Sequence, residues 1–233
     1  MFYRDQSYVY RVEELERLPW LDHGFGTRLA GSWTPGPPVW VRQIHSARCV
    51  WADGVAGCLG EADCLVTNSP GRYLTIRTAD CIPVLLVDES KRAVAAVHAG
   101  WRGTAQSIVA AAVRSLGERF GSRPQDLLAA IGPGICADCY EVGPEVASQF
   151  GLTGRAKLDL PEINRRQLID AGLDSSRVFA NAPCTCCRPG EFHSWRRDHV
   201  KTGRMVAAVA IRVGKHRGRE REPAPYDSRS FAA

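Results

Sequence analysis

No stretch of the 233-residue chain approaches the roughly 20 uninterrupted apolar residues that a membrane span requires. The opening residues, MFYRDQSYVYRVEELERL, also lack the basic-then-apolar order of an export signal. The expectation is a cytoplasmic protein with no membrane partner. Nine cysteines are too odd a number for a complete disulfide framework, so reduced thiols that pack, ligate metal or react are the better reading. Histidine is scarce: there are six, and no two are spaced His-x-His, which argues against a cluster of several coupled copper ions. Lysine is scarcer still, four against 26 arginines, and no function follows from that ratio. The net charge of +5 lies partly in the tail GKHRGREREPAPYDSRSFAA. What remains is mildly basic, suited to small anions such as phosphate rather than to nucleic acid, which calls for a clustered basic face.

With 45% apolar residues and 24% charged, the chain can bury a substantial core. No repeat or linker divides it, so one domain is expected over residues 1–213, followed by a charged, disordered tail over 214–233. RVEELERL is amphipathic, and HGFGTRLAGSWTPGPP reads as loop on its Gly and Pro content. VWVRQIHSARCVWA alternates as a strand would. CLVT, YLTI, IPVLLVD and AVAAVHAG, separated by NSPG and DESK turns, read as buried strands of one sheet. From Thr104 a helical period runs to Gly121. DLLAAIG, VFANAPCT and GRMVAAVAIRV complete the strands, and PEVASQF and LPEINRRQLIDAG the helices.

Three good metal ligands stand at the ends of strand-like runs: His45 in RQIHS, Cys81 in TADCIP and His98 in VHAGWRG. Two imidazoles and a thiolate suit zinc, or copper, and three protein ligands leave a tetrahedral position open, as in a catalytic site. Taken singly, each residue also fits a satisfied place in the core. In HAGWRG, a histidine, two glycines and Arg102 meet where a strand turns into a helix, so backbone N–H groups and a guanidinium can face an anion. Otherwise the glycines merely serve a tight turn. Asp80 is a candidate hydrogen-bond acceptor behind the site or a general base, or else a turn cap.

RQIHS, ADCLVTNSPGRYLTIRTADCIPVLLVD, AVAAVHAGWRGT, AAIGPGI with YEVGPEV, and CTCCRPGEFHSWRRDHVKTGRM together resemble the YfiH-like, laccase-domain (polyphenol oxidase) family. The likeness runs from about Gly24 to Val213, with ligand steps of 36 and 17 residues. It implies an α/β sandwich of mixed sheets with helices packed outside. It also implies metal ligation by His45, Cys81 and His98; these three and, from its place beside Cys81, Asp80 are the expected catalytic residues. Family members are described as zinc-dependent purine nucleoside phosphorylases and adenosine deaminases and as copper oxidases. The implied substrates are adenosine, inosine, guanosine and S-methyl-5′-thioadenosine. Arg28 and Arg102 are reasonable ligands for phosphate, and a monomer or small homo-oligomer is expected. Ser46 stands where the family commonly has Gly, His193 where it has an aromatic ring, and the segment between GTRLAGSW and VWVRQIH is shortened.

Two other readings stay open. Copper in the three-ligand site would give a laccase-like polyphenol oxidase, which the six histidines make a poor physical description. A non-enzymatic, zinc-stabilised binding protein would use Cys136 and Cys139 with Cys184, Cys186 and Cys187 in a Zn(Cys)₄ site, although CTCC is poorly spaced for a zinc knuckle. Cys184 is otherwise expected to pack near the pocket, and Cys49, Cys58 and Cys64 read as small apolar fillers.

Overall fold

The computed structural model describes residues 1–213; the expected disordered tail lies outside the described residues. Two mixed sheets carry the fold. The seven-stranded sheet runs β1 (Phe2–Arg4), β2 (Val9–Val12), β3 (Leu21–Gly26), β15 (Met205–Ile211), β8 (Tyr73–Thr78), β4 (Pro38–Arg42) and β6 (Gly57–Glu61). The six-stranded sheet runs β14 (Val178–Phe179), β11 (Leu127–Ile131), β9 (Ile82–Asp88), β10 (Ala93–Ala99), β7 (Cys64–Thr67) and β5 (Cys49–Trp51). A hairpin of β12 (Glu141–Val142) and β13 (Ala156–Lys157) stands apart.

Alternation along β10 explains why its run is apolar throughout. Val94 and Ala96 pack with Leu74, Ile76, Ala207 and Val209 of the other sheet. Ala93, Ala95 and Val97 pack instead against Ile108, Val109, Ala112 and Leu116 of α3 (Ile108–Phe120). A strand covered on both faces has no solvent side and therefore no polar register. Leu86, fully buried in that second cluster, is a position where truncation to Ala would cost about 2–5 kcal/mol.

Helices cover the outer face of the six-stranded sheet, where α5 (Leu160–Asp170) joins α3 through Leu160 and Leu168. Asp159 caps α5, accepting from the Glu162 N–H at 3.0 Å, and left-handed Gly121 closes α3. Among the described residues the outer face of the seven-stranded sheet carries no such layer: Trp33 and Tyr73 lie with Ala208 and Ala210 there.

Several sequence expectations need correction. YLTI forms β8 and belongs to the seven-stranded sheet, while CLVT, IPVLLVD and AVAAVHAG form β7, β9 and β10 of the other. Hydrophobic pattern marks a buried strand but not which of two facing sheets it joins. VWVRQIHSARCVWA is two strands, β4 and β5, on different sheets, so residues 43–48 form a crossing loop. HGFG is strand rather than loop. Glycine is required at Gly24 and Gly26 because a Cβ would meet Val9 Cγ1 at 2.5 Å and Trp33 Nε1 at 2.6 Å. Only Glu13–Glu16 of the amphipathic start is helical, as α1, and VFANAPCT is strand only over β14.

The helix expected from Thr104 is two pieces, α2 (Trp101–Ala105) and α3, broken where Ser107 takes φ +56°. Side chains of α5 hold the break: Gln167 Nε2 donates to the Thr104 carbonyl at 2.8 Å and Asn164 Nδ2 to Thr104 Oγ1 at 3.0 Å. Cys64 is buried and Cys49 half-buried, but Cys58 is exposed on the terminal strand β6 and fills nothing.

Candidate metal centre

The loop between β4 and β5 presents His45. Gln43 anchors its start to β8, donating from Nε2 to the Arg77 carbonyl and accepting from the Arg77 N–H, both at 2.8 Å. His45 itself has φ +61°, a left-handed conformation that side chains rarely adopt. The buried carboxylate of Asp63 holds the loop in that shape. Its Oδ1 accepts from the His45 N–H at 2.9 Å. Its Oδ2 accepts from the N–H groups of Ile44 and Ser46 at 3.2 and 2.6 Å and from Ser46 Oγ at 2.8 Å. Ser46, where the family commonly has Gly, is thus absorbed into the same network.

Asp63 Oδ1 also lies 2.8 Å from His98 Nδ1, at the end of β10. That bond leaves Nε2 of His98 as the nitrogen free to ligate. Cys81 comes from the turn before β9, and the next turn supplies clearance. A Cβ on Gly100 would lie 2.9 Å from His45 Cδ2 and 3.1 Å from Cys81 Sγ. The ligand atoms of His45, Cys81 and His98 all lie within 4.8 Å of one another, and the two imidazoles meet edge to face at 4.9 Å between centroids. His98 is buried, whereas His45 and Cys81 are half-buried, so the cluster opens on one side.

Burial alone would push the Cys81 thiol up, but the imidazoles of His98 and His45 outweigh it and bring it below its ordinary value. Burial opposes protonation of His98 in turn, and the sulfur of Cys81 and the carboxylate of Asp63 raise it above the usual histidine range. The pair therefore favours thiolate beside imidazolium. Burial also works against ionised Asp63, yet its His98 and Ser46 donors hold it below the normal carboxylate value. A thiolate and two imidazoles at this spacing form a donor set that fits zinc or copper, which would displace the protons.

Asp80 adjoins the cluster at φ +88°, but its carboxylate faces away into the 185–196 segment. It accepts from Thr185 Oγ1 at 2.6 Å, Ser194 Oγ at 3.0 Å and the Arg196 N–H at 2.6 Å. With three donors engaged, it fits the reading of a positioning acceptor better than that of a base. Tyr140 borders the site: burial, then the nearby Cys81, pushes its hydroxyl up to about 12, against opposing Arg196 and Arg102. Arg196 lies 5.2 Å from the Tyr140 ring centroid, and Arg102 4.3 Å from that of Trp101. The five-residue α2 lends Arg102 little dipole. Exposed Arg28 joins the 189–191 turn, donating from Nη1 to the Pro189 carbonyl at 3.0 Å and from its N–H to the Glu191 carbonyl at 2.8 Å. His193 packs its ring on Gly203, whose N–H donates to Nδ1 at 3.3 Å.

Sequence reasoning passed over Asp63, Tyr140 and Arg196. The one local signal was an acidic residue entering a buried strand at Asp63, since buried carboxylates require donors.

Comparison with known proteins is specific. A family model described as multi-copper polyphenol oxidoreductase laccase matches residues 27–212. The chain belongs to this family. A purine nucleoside phosphorylase of Deinococcus radiodurans is 40% identical over 181 residues, covering 73% of this chain and 69% of that one. The adenosine deaminase RL5, from an unknown prokaryotic organism, is 35% identical over 191 residues, 72% of each chain. The crystal structure of Bacillus licheniformis hypothetical protein YfiH superposes with a TM-score of 0.83 at 28% identity, covering 91% of this chain and 99% of that one. The mixed-sheet fold is thus that of the YfiH structure. No helix among the described residues is long and apolar enough to cross a membrane.

Proposed function

We propose that the chain is a zinc-dependent purine nucleoside enzyme. Its reactions are phosphorolysis of adenosine, inosine, guanosine and S-methyl-5′-thioadenosine, and hydrolytic deamination of adenosine. The observation that carries this reading is the convergence of His45, Cys81 and His98 within 4.8 Å at the half-open end of the sheets. Relatives named as a phosphorylase and a deaminase supply the substrate class.

The three residues would hold the metal, which when bound supplies Lewis-acid activation of water for replacing the 6-amino group. Asp63 orients His98 and keeps the His45 loop in its left-handed turn. Tyr140 stays protonated through the neutral range and keeps an O–H donor beside Cys81. Trp101 with Arg102, and Tyr140 with Arg196, pair a ring with a cation. Rings of this kind suit a purine face, and guanidinium groups suit phosphate oxygens. Arg102 and Arg28 are assigned to phosphate. In phosphorolysis a phosphate oxygen bonds to C1′ as the glycosidic bond breaks, and the bond pair leaves on the purine. The anchored anion is the chain's main contribution to that step. We place the protein in the cytoplasm, acting on small molecules.

The family's description names copper, and a second reading puts that ion on the same three residues as a laccase-like oxidase. The test covers both. Protein loaded with zinc or with copper is incubated with a nucleoside panel, with and without phosphate, and separately with phenols, and products are identified by mass spectrometry. Ribose 1-phosphate formed only with phosphate, together with inosine from adenosine, is the expected result. Phenol oxidation by the copper form with no nucleoside turnover by either would overturn the reading.

A further inference from the structure

Eight of the nine cysteines take no part in the candidate centre, and the fold brings four of them together. The sulfurs of Cys136, Cys139, Cys184 and Cys187 all lie within 4.8 Å of one another. Cys187 Sγ is 3.4 Å from Cys139 Sγ and 4.0 Å from Cys136 Sγ. Tetrahedral zinc with bonds of about 2.3 Å spaces its sulfurs about 3.8 Å apart, which falls between those values. The discounted spacing of CTCC acquires a different meaning: Cys184 and Cys187 form a second C-x-x-C that faces the first, while Cys186 borders the cluster from within the turn.

Each pair lies on a tight turn suited to ligation. Cys139 N–H donates to the Cys136 carbonyl at 3.1 Å around the single turn Ala137–Cys139. The two turns are joined by a bridge between Gly134 and Cys184 and by the Thr185 N–H on the Gly134 carbonyl at 3.0 Å. Cys136 N–H donates to Cys184 Sγ at 3.3 Å, the kind of bond that stabilises a thiolate. Four thiolates on Zn²⁺ leave a net charge of −2. Arg197 fixes the second turn, donating to the Thr185 and Cys186 carbonyls at 3.0 Å each, while its own charge is paired with Asp198 at 2.7 and 2.8 Å.

We propose that the chain carries a second metal site, a structural zinc bound by Cys136, Cys139, Cys184 and Cys187. Its four-thiolate set is closed, with no position left for substrate, in contrast to the three-ligand centre. The two turns it clamps continue into the wall of that centre. One leads to Tyr140 and the other carries Thr185, which bonds Asp80 beside Cys81, and Arg196 ties the wall to the Glu141 carbonyl at 2.9 Å. The zinc therefore fixes the pocket wall and takes no part in the chemistry. The assignment is independent of any nucleoside activity.

Metal content and cobalt spectroscopy test it. Wild-type chain purified with zinc should hold two equivalents by elemental analysis. The triple variant His45→Ala, Cys81→Ala, His98→Ala should keep one, and adding Cys139→Ser and Cys187→Ser should remove it. Cys186→Ser should leave both. Cobalt in the triple variant should show the intense charge-transfer absorption of four thiolates. If that variant does not fold, cobalt-loaded wild type still distinguishes four thiolates plus Cys81 from Cys81 alone. The proposal is overturned by a folded triple variant without metal, by cobalt-loaded wild type with the absorption of Cys81 alone, by zinc lost in Cys186→Ser, or by iron in place of zinc. It is equally overturned if the mass of the unreduced, denatured wild type shows disulfides among the four cysteines.

Discussion

Replacing Asp63 by Asn removes one charge and exchanges one oxygen for an NH₂ group, with almost no change of shape. The consequence follows from the five donors on that carboxylate: Ile44 N, His45 N, Ser46 N, Ser46 Oγ and His98 Nδ1. An amide nitrogen in the Oδ1 place would face the His45 N–H and the Nδ1 side of His98. In the Oδ2 place it would face the N–H groups of Ile44 and Ser46. Either way at least one buried donor loses its partner, at about 1–3 kcal/mol each, and the imidazolium of His98 loses its counter-charge. A central figure is about 3 kcal/mol, or about 6–12 °C in Tm for a chain of this size.

The same change frees the His98 ring to adopt the wrong tautomer, so metal affinity should fall about 10–100-fold. Thermal unfolding of the metal-free protein isolates the folding part, and competition with a chromophoric chelator measures the metal part. Ser46→Ala deletes the hydroxyl's bond to Asp63 and the exposed bond it accepts from the Arg48 N–H at 3.2 Å, and should cost about 1 kcal/mol. An Asp63→Asn protein with the wild-type Tm in metal-free form and unchanged metal affinity would refute the role assigned to this carboxylate.

Gly100→Ala forces a methyl against His45 Cδ2 and Cys81 Sγ, which should cost about 1–3 kcal/mol and weaken metal retention on dialysis; full retention would show that the loop yields. Arg102→Ala should lower apparent phosphate affinity roughly ten- to a hundredfold, a loss of about 1.5–3 kcal/mol, and spare adenosine deamination; equal loss of both activities would make this arginine structural. His23 is buried, accepts the Val12 N–H on Nε2 at 2.9 Å, and is pushed down to about 4 from 6.5 by burial and then by Arg11. The folded state thus resists a proton that the unfolded chain accepts. Stability should be insensitive to this group above pH 6.5, fall by about 3 kcal/mol as the pH drops towards 4, and level off below. Denaturant titrations of wild type and His23→Gln across that window should differ in slope; parallel curves would refute the assignment.

Strands covered on both sides were legible because their unbroken apolar runs leave no other explanation, as in IPVLLVD and AVAAVHAG. The partition of strands between the sheets was not, since YLTI is as apolar as its neighbours and the short segments on either side of it, 68–72 and 79–81, carry the chain from one sheet to the other and back. HGFG misled because glycine usually marks a turn, whereas here it makes room for Val9 and Trp33. The residues His45, Cys81 and His98 could be picked out as good ligands at strand ends. Asp63 could not, because its five donors come from segments brought together only by folding. The four-sulfur cluster was masked by a local feature, the poor spacing of CTCC for a zinc knuckle, which the turn resolves by bringing Cys184 and Cys187 together and leaving Cys186 out.

The two donor clusters are organised in opposite ways, and that difference bears on how each should respond to its metal. Around His45, Cys81 and His98 the positions are set by the protein. Non-glycine residues take left-handed φ at His45 and Asp80, at about 1–3 kcal/mol each, and buried carboxylates with three or more donors hold both turns. Such a centre is shaped before any ion arrives, and metal-free protein should keep its sheet ends intact. Around Cys136, Cys139, Cys184 and Cys187 the frame is two short turns joined through Gly134 and the Cys136 N–H, by the Gly134–Cys184 bridge, the Thr185 N–H on the Gly134 carbonyl and the Cys136 N–H on Cys184 Sγ, with Cys187 exposed. There the ion supplies much of the order that it then occupies, so removing zinc should loosen residues 134–140 and 184–187 in hydrogen exchange while the loop at His45 stays protected. Equal loss of protection in both regions would mean that the two clusters order one another, through Asp80 and Thr185.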